Sequence, residues 1–145
     1  AAGADEVIVY TEQDFEAEVK RLTDGKGVEL ILDMVGGSYL QKNVRSLPVE
    51  GRLVQIAFLQ TSKVELDFMP MMLKRLTLTG STLRPRTVEQ KAAIARELHE
   101  KVWPLLEAGT VRPIVHKVFP LEQAAEGHRL MESSRHIGKI MLKVR

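Results

Sequence analysis

Four short groups of residues lie where an apolar run gives way to a turn: Tyr10, Met34-Val35-Gly36, Ala57-Phe58-Leu59 and Gly80-Ser81-Thr82-Leu83. Each mixes small, backbone-permissive residues with an apolar wall. That mixture suits an aromatic ring lying flat against a loop that offers its amides, and it falls where sheets of the doubly wound kind bind ligands, outside the carboxyl ends of their strands. The second group belongs to the stretch LDMVGG, Leu32 to Gly37, which reads either as part of a ligand wall or simply as a strand stopped by a glycine turn. Asp33 invites comparison with the acid that binds a ribose, but that acid needs a G-x-G-x-x-G about 20 residues upstream. None precedes it, so Asp33 reads as a structural acid at the sheet rim.

Other chemistries find little support. His99, His116, His128 and His136 fall on different elements, with no H-x-x-x-H pair for a zinc helix. His128 and Glu132 are four apart on one helix, which a surface hydrogen bond explains. No serine occupies a G-x-S-x-G elbow. Met69, Met71 and Met72 form a soft apolar cluster with Phe58 and Phe68, suited to core packing or a subunit contact.

The elements that would position these residues follow from periodicity. Gly3 reads as the left-handed residue closing a helix that lies before the sequence starts, so the chain is expected to be cut from a longer one. Glu6 to Tyr10 reads as a buried strand. Thr11 then caps a helix carrying Phe15, Val19 and Leu22, whose first turns are crowded with acids that suit the helix dipole. Val28 to Asp33 reads as a second strand, apolar on both faces as in a parallel sheet. Ser38 caps a helix with Leu40, Val44 and Leu47 before a third strand, Arg52 to Ala57. Met69 to Leu73 is a short helix or loop, and Leu76 to Gly80 a fourth strand. Thr87 and Gln90 fit a capping box that opens the longest helix, kinked at Pro104 and ended by Gly109. A strand at Ile114 to Phe119, a helix at Leu121 to Ser133 and a strand at Lys139 to Val144 close the chain. Such alternation predicts an α/β fold, a partial Rossmann-like doubly wound parallel sheet. Residues 1–100 would be a dinucleotide-binding domain without its first strand and glycine loop, and residues 101–145 a segment returning to a neighbouring catalytic layer.

Composition narrows the function. The 145 residues are 44% hydrophobic and 28% charged, ordinary for a globular domain. The formal charge of +2 comes from interspersed signs, which argues against a nucleic-acid partner. There is no cysteine, which suits a reducing compartment, and no apolar run approaches the ~20 residues of a membrane helix. With no leader pattern, a cytoplasmic protein is expected.

Taken in order, the segments GADEVIVYTEQDF, ILDMVGG, GRLVQIAF, KRLTLTGSTLRPR and KVWPLLEAGTVRPIVHKVFPLEQAAEGHRLMESSRHIGKIMLKV closely resemble the C-terminal half of the quinone oxidoreductases. These form a zinc-free branch of the medium-chain dehydrogenase/reductase superfamily. Segments of this kind are called zinc-binding dehydrogenase domains, a name that implies no zinc in this branch. The resemblance implies NADPH as cofactor and hydride transfer to a quinone, an enone or a related electron-poor acceptor. It places Tyr10 by the adenine end and Met34 and Val35 along the adenosine. Ile56, Ala57, Phe58 and Leu59 fall beside the nicotinamide, and Ser81, Thr82 and Leu83 form a loop whose backbone meets the carboxamide. Gly138 and Lys139 match a late turn that approaches the cofactor. It assigns no general acid and no metal ligand to this half, and it implies a homodimer paired through the edge strand near Leu76 to Gly80. Three readings stand: a fragment of such an enzyme, inactive by itself; a stand-alone α/β module for dimerisation or nucleotide binding; and an unrelated α/β binding protein.

Overall fold

A computed structural model of the chain describes residues 3–145. Its internal contacts divide it into two units, one ending at Arg86 and one spanning Thr87–Arg145.

The first unit runs α1 (Phe15–Leu22), β1 (Leu30–Asp33), α2 (Tyr39–Ser46), β2 (Arg52–Gln55), α3 (Met69–Lys74) and β3 (Thr77–Gly80). Its strands form a parallel three-stranded sheet in the order β1-β2-β3. Successive strand side chains point to opposite faces. The row Ile31, Leu53 and Leu78 therefore points to a single face, where it meets Val44, Leu47, Leu76 and Met71. The neighbouring row Leu32, Val54 and Thr79 points the other way, and Leu32 is 62% exposed. The fold is α/β and Rossmann-like as the sequence predicts, with the core of this partial sheet confined to one face.

Three expectations shift. Glu6 to Tyr10 forms no strand: Val9 N–H donates to Gln13 Oε1 at 3.0 Å, and Val9 O accepts from Glu12 and Gln13 N–H, so a local turn consumes the groups a ladder needs. The helix cap is Asp14, not Thr11. Its carboxylate accepts from Glu16 N–H at 2.9 Å and Ala17 N–H at 3.4 Å, two donors that a helix start leaves without a partner. Ser38 occupies the start of α2 but makes no capping bond there.

The second unit comprises α4 (Val88–Lys101), α5 (Trp103–Glu107), β4 (Val115–Pro120), a 3-10 turn at Leu121–Gln123, α6 (Ala124–Glu132) and β5 (Lys139–Lys143). The capping box forms as expected: Thr87 Oγ1 accepts from Gln90 N–H at 3.3 Å, and Gln90 Oε1 accepts from Thr87 N–H at 3.0 Å. Pro104 goes further than a kink. It stands in the first turn of α5, where its missing N–H costs nothing, and the long helix breaks at Val102. Strands β4 and β5 pair in parallel across α6, burying Phe119. No helix among the described residues is long and apolar enough to cross a membrane.

Candidate functional site

The sheet register decides whether the strand ends form one surface. Asp33, Gln55 and Gly80 are direct neighbours across β1, β2 and β3, so the three carboxyl ends share a single rim. Beside it opens a cavity of about 630 Å³ lined by Leu40, Leu53, Gln55, Ile56, Ala57, Phe58, Ser62, Leu78, Thr79, Gly80, Ser81 and Thr82. Of the residues expected at a cofactor, Ile56, Ala57, Phe58, Ser81 and Thr82 meet here. Leu53 belongs to the core as well, so the floor of the cavity is the top of the packed layer.

The stretch LDMVGG now has a physical explanation. Asp33 is buried; its Oδ1 accepts from Val35 N–H at 2.6 Å and Gly36 N–H at 3.2 Å, and its Oδ2 accepts from Asn43 Nδ2 at 3.0 Å. It is a structural acid that folds the turn back on itself. Gly36 and Gly37 both have left-handed backbones, at φ +66 and +57. A Cβ at Gly36 would come 2.5 Å from Phe58 Cδ1, so the glycine lets the Phe58 loop close over the turn. That loop is tied down by Leu59 N–H to Met34 O and Gln60 N–H to Val35 O, both 3.0 Å. Met34 and Val35 thus hold the loop through their carbonyls without lining the cavity, and Leu59 and Leu83 are exposed outside it.

Tyr10 lies in a second, smaller cavity of about 180 Å³ with Gln13, Phe15, Ser38, Tyr39 and Lys42. Phe15 stacks on Tyr39 at 5.4 Å, Tyr10 meets Tyr39 edge-on at 5.9 Å, and Lys42 Nζ lies 5.6 Å from the Phe15 ring centre. Lys42 also donates to Asp14 Oδ2 at 2.7 Å and holds that carboxyl below its ordinary range, with the Ala17 and Glu16 N–H bonds adding to the effect. Gly138 and Lys139 belong to the second unit. Gly138 has φ +96, and Lys139 N–H donates to Ile114 O at 2.7 Å.

One rim residue was missed in the sequence. Gln55 ends β2 on the same face as Leu53, and its Nε2 donates to Asp33 O at 3.3 Å and Ala57 O at 2.7 Å. Its Oε1 is buried with no partner among the described residues. A polar side chain closing the apolar run RLVQIA, two residues from Leu53, was the available signal. The rings of His116 and His136 also come together, at 6.2 Å, although they are distant in sequence. Among the described residues no three His, Asp or Glu side chains could hold a metal ion, and the sequence has no cysteine.

The same fold is found in known proteins. The chain is 28% identical over 141 residues to the quinone oxidoreductase of Rattus norvegicus, covering 97% of this chain and 41% of that protein. It therefore spans about two fifths of that relative. Among solved structures, an NAD-dependent alcohol dehydrogenase superposes with TM-score 0.77 at 34% identity, over 99% of this chain and 39% of its own. The Escherichia coli quinone oxidoreductase complexed with NADPH does so with TM-score 0.78 at 26% identity, over 98% and 44%. The profile of the zinc-binding dehydrogenases matches residues 2–142, nearly the whole sequence, and so the chain belongs to that family, within the medium-chain dehydrogenase/reductase superfamily.

Proposed function

We propose that this chain is the cofactor-binding part of an NADPH-dependent oxidoreductase that passes hydride to a quinone or a related electron-poor acceptor such as an enone. The observation that carries the reading is the shared rim: Asp33, Gln55 and Gly80 end three parallel strands in register beside one apolar cavity. The cavity suits a nicotinamide ring, with Phe58, Ile56, Leu40 and Leu78 as apolar walls. Gln55 Oε1, buried and without a partner among the described residues, is the kind of polar atom that a bound polar group can satisfy.

When bound, the cofactor supplies the hydride; the protein's part is to orient it and keep water out. Leu53 and Leu78 close the floor against the core. Ile56 N–H donates to Asp33 O at 2.8 Å and Ser81 N–H to Gln55 O at 3.0 Å, so the loops leave the sheet in fixed directions. No residue of this chain is assigned as a general acid. Tyr10 and the second cavity would take the adenosine end.

The proposed assembly is a homodimer paired through β3, which ends the sheet and presents an edge unpaired among the described residues. A cysteine-free sequence suits a reducing compartment, and the cytoplasm is the location this reading assigns. The test is a titration of the full-length protein with NADPH, followed by nicotinamide fluorescence and by loss of reduced-cofactor absorbance on adding a soluble benzoquinone. Saturable binding and quinone-dependent oxidation are expected; failure to bind any nicotinamide cofactor overturns the reading.

A further inference from the structure

The Ser81–Arg86 loop is braced by Arg86, its half-buried residue. Arg86 Nη2 donates to Ser81 Oγ at 3.1 Å, and Arg86 Nε donates to Thr82 O at 3.1 Å. A guanidinium carries donors and no acceptor, so Ser81 Oγ can only accept in that pair. A hydroxyl keeps one proton of its own besides its lone pairs. The Ser81 proton is therefore turned away from Arg86, and no described residue accepts it.

Much of the loop's backbone is already committed. Ser81 N–H donates to Gln55 O at 3.0 Å, Thr82 O accepts from Arg86 Nε, and Leu83 O accepts from Arg86 N–H at 3.2 Å. Ser81 nevertheless lines the cavity. We propose that Arg86 fixes the Ser81 hydroxyl as a hydrogen-bond donor into the cavity, aimed at a carbonyl oxygen of the bound ligand.

That chemistry fits two oxygens, the carboxamide oxygen of the cofactor and the carbonyl oxygen of the hydride acceptor. Arg86 touches no ligand in this scheme and is a positioning residue. The inference rests on the proposed function of the cavity.

The experiment uses the full-length protein and measures two constants: Kd for NADPH, and KM for a soluble benzoquinone at saturating NADPH. Loss of one neutral hydrogen bond corresponds to roughly two- to tenfold in affinity. Ser81→Ala and Arg86→Gln should each raise one constant about fivefold. Ser81→Thr, which keeps the hydroxyl, should stay at the wild-type value. The double variant should be no worse than Ser81→Ala, because Arg86 acts through Ser81 and the two effects do not add. A raised Kd assigns the carboxamide oxygen; a raised KM with unchanged Kd assigns the acceptor carbonyl. Should Arg86→Gln fail to fold, Arg86→Lys replaces it, since a single donor still reaches Ser81 and a smaller rise is expected. Ser81→Ala with both constants unchanged, or effects that sum in the double variant, overturns the inference. A wild-type protein that binds no nicotinamide cofactor overturns the reading of the cavity and this inference with it; one that binds normally while Ser81→Ala is silent overturns the inference alone.

Discussion

The two units use the same alternation of strand and helix with different results. In the first, three strands put Ile31, Leu53 and Leu78 in one row, and α2 closes it with Val44 and Leu47 buried. In the second, two strands and α6 bury Phe119, and α6 packs its buried Gly127 toward Phe119, Ile140 and Leu142. A two-stranded sheet is marginal by itself, whereas a third strand gives the middle one neighbours on both sides. The apolar cavity at the shared rim belongs to the unit with the three-stranded frame. Its floor residue Leu53 is also a core residue, so stability and site geometry are coupled there.

The most severe way to break the comparison is to empty each core. Phe119→Ala should cost about 3–5 kcal/mol and Leu53→Ala about 2–5 kcal/mol in chemical denaturation. Of the two, Leu53→Ala should also weaken NADPH binding; equal weakening by Phe119→Ala would show that the units are not separable in function. Backbone substitutions sharpen the contrast at smaller scale. Gly36→Ala and Gly138→Ala both place a Cβ on a left-handed backbone, at φ +66 and +96, with Phe58 or Ile114 in its way. Each should cost about 1–3 kcal/mol. Gly36→Ala should shift Phe58 and lower cofactor affinity as well. Asn43→Ala removes one donor from the buried Asp33 carboxylate and should cost about 1–3 kcal/mol, read from the thermal midpoint.

The smallest effect lies at Asp14 and Lys42. The Lys42 bond depresses the Asp14 pKa in the folded state. A depressed carboxyl stabilises the fold above its unfolded-state pKa, and that contribution fades as pH falls through the folded value. Lys42→Met should therefore lower the midpoint slightly near neutral pH, and the gap should close in strong acid. A gap that widened in acid would reverse the sign of this linkage.

What the sequence made legible was what periodicity and local chemistry control. The runs Val28 to Asp33, Arg52 to Ala57 and Leu76 to Gly80 announced parallel strands, the second of which stops at Gln55, and Thr87 with Gln90 announced a helix start, because each signal lies within a few residues. Glu6 to Tyr10 misled for a physical reason. Its β-branched composition describes a residue that packs well in a sheet, but Val7 and Val9 find no ladder partner among the described residues. Thr11 and Asp14 both suit a cap, and only the turn around Val9 chooses between them. Of the cavity's lining, Ala57, Phe58, Ser81 and Thr82 were legible from their places after strands, and Ile56 from the family resemblance. Gln55 and Arg86 did not, since their partners Asp33 O and Ser81 Oγ are set by register and loop closure.

The central claim is that the common rim of β1, β2 and β3 receives the nicotinamide end of a dinucleotide. The most direct test is a crystal structure of the full-length protein with NADPH bound. The account predicts the nicotinamide ring in the cavity between Phe58 and Thr82, with Ser81 Oγ within hydrogen-bond reach of a carbonyl oxygen. A ring bound elsewhere, with that cavity filled by the protein's own side chains, would contradict it.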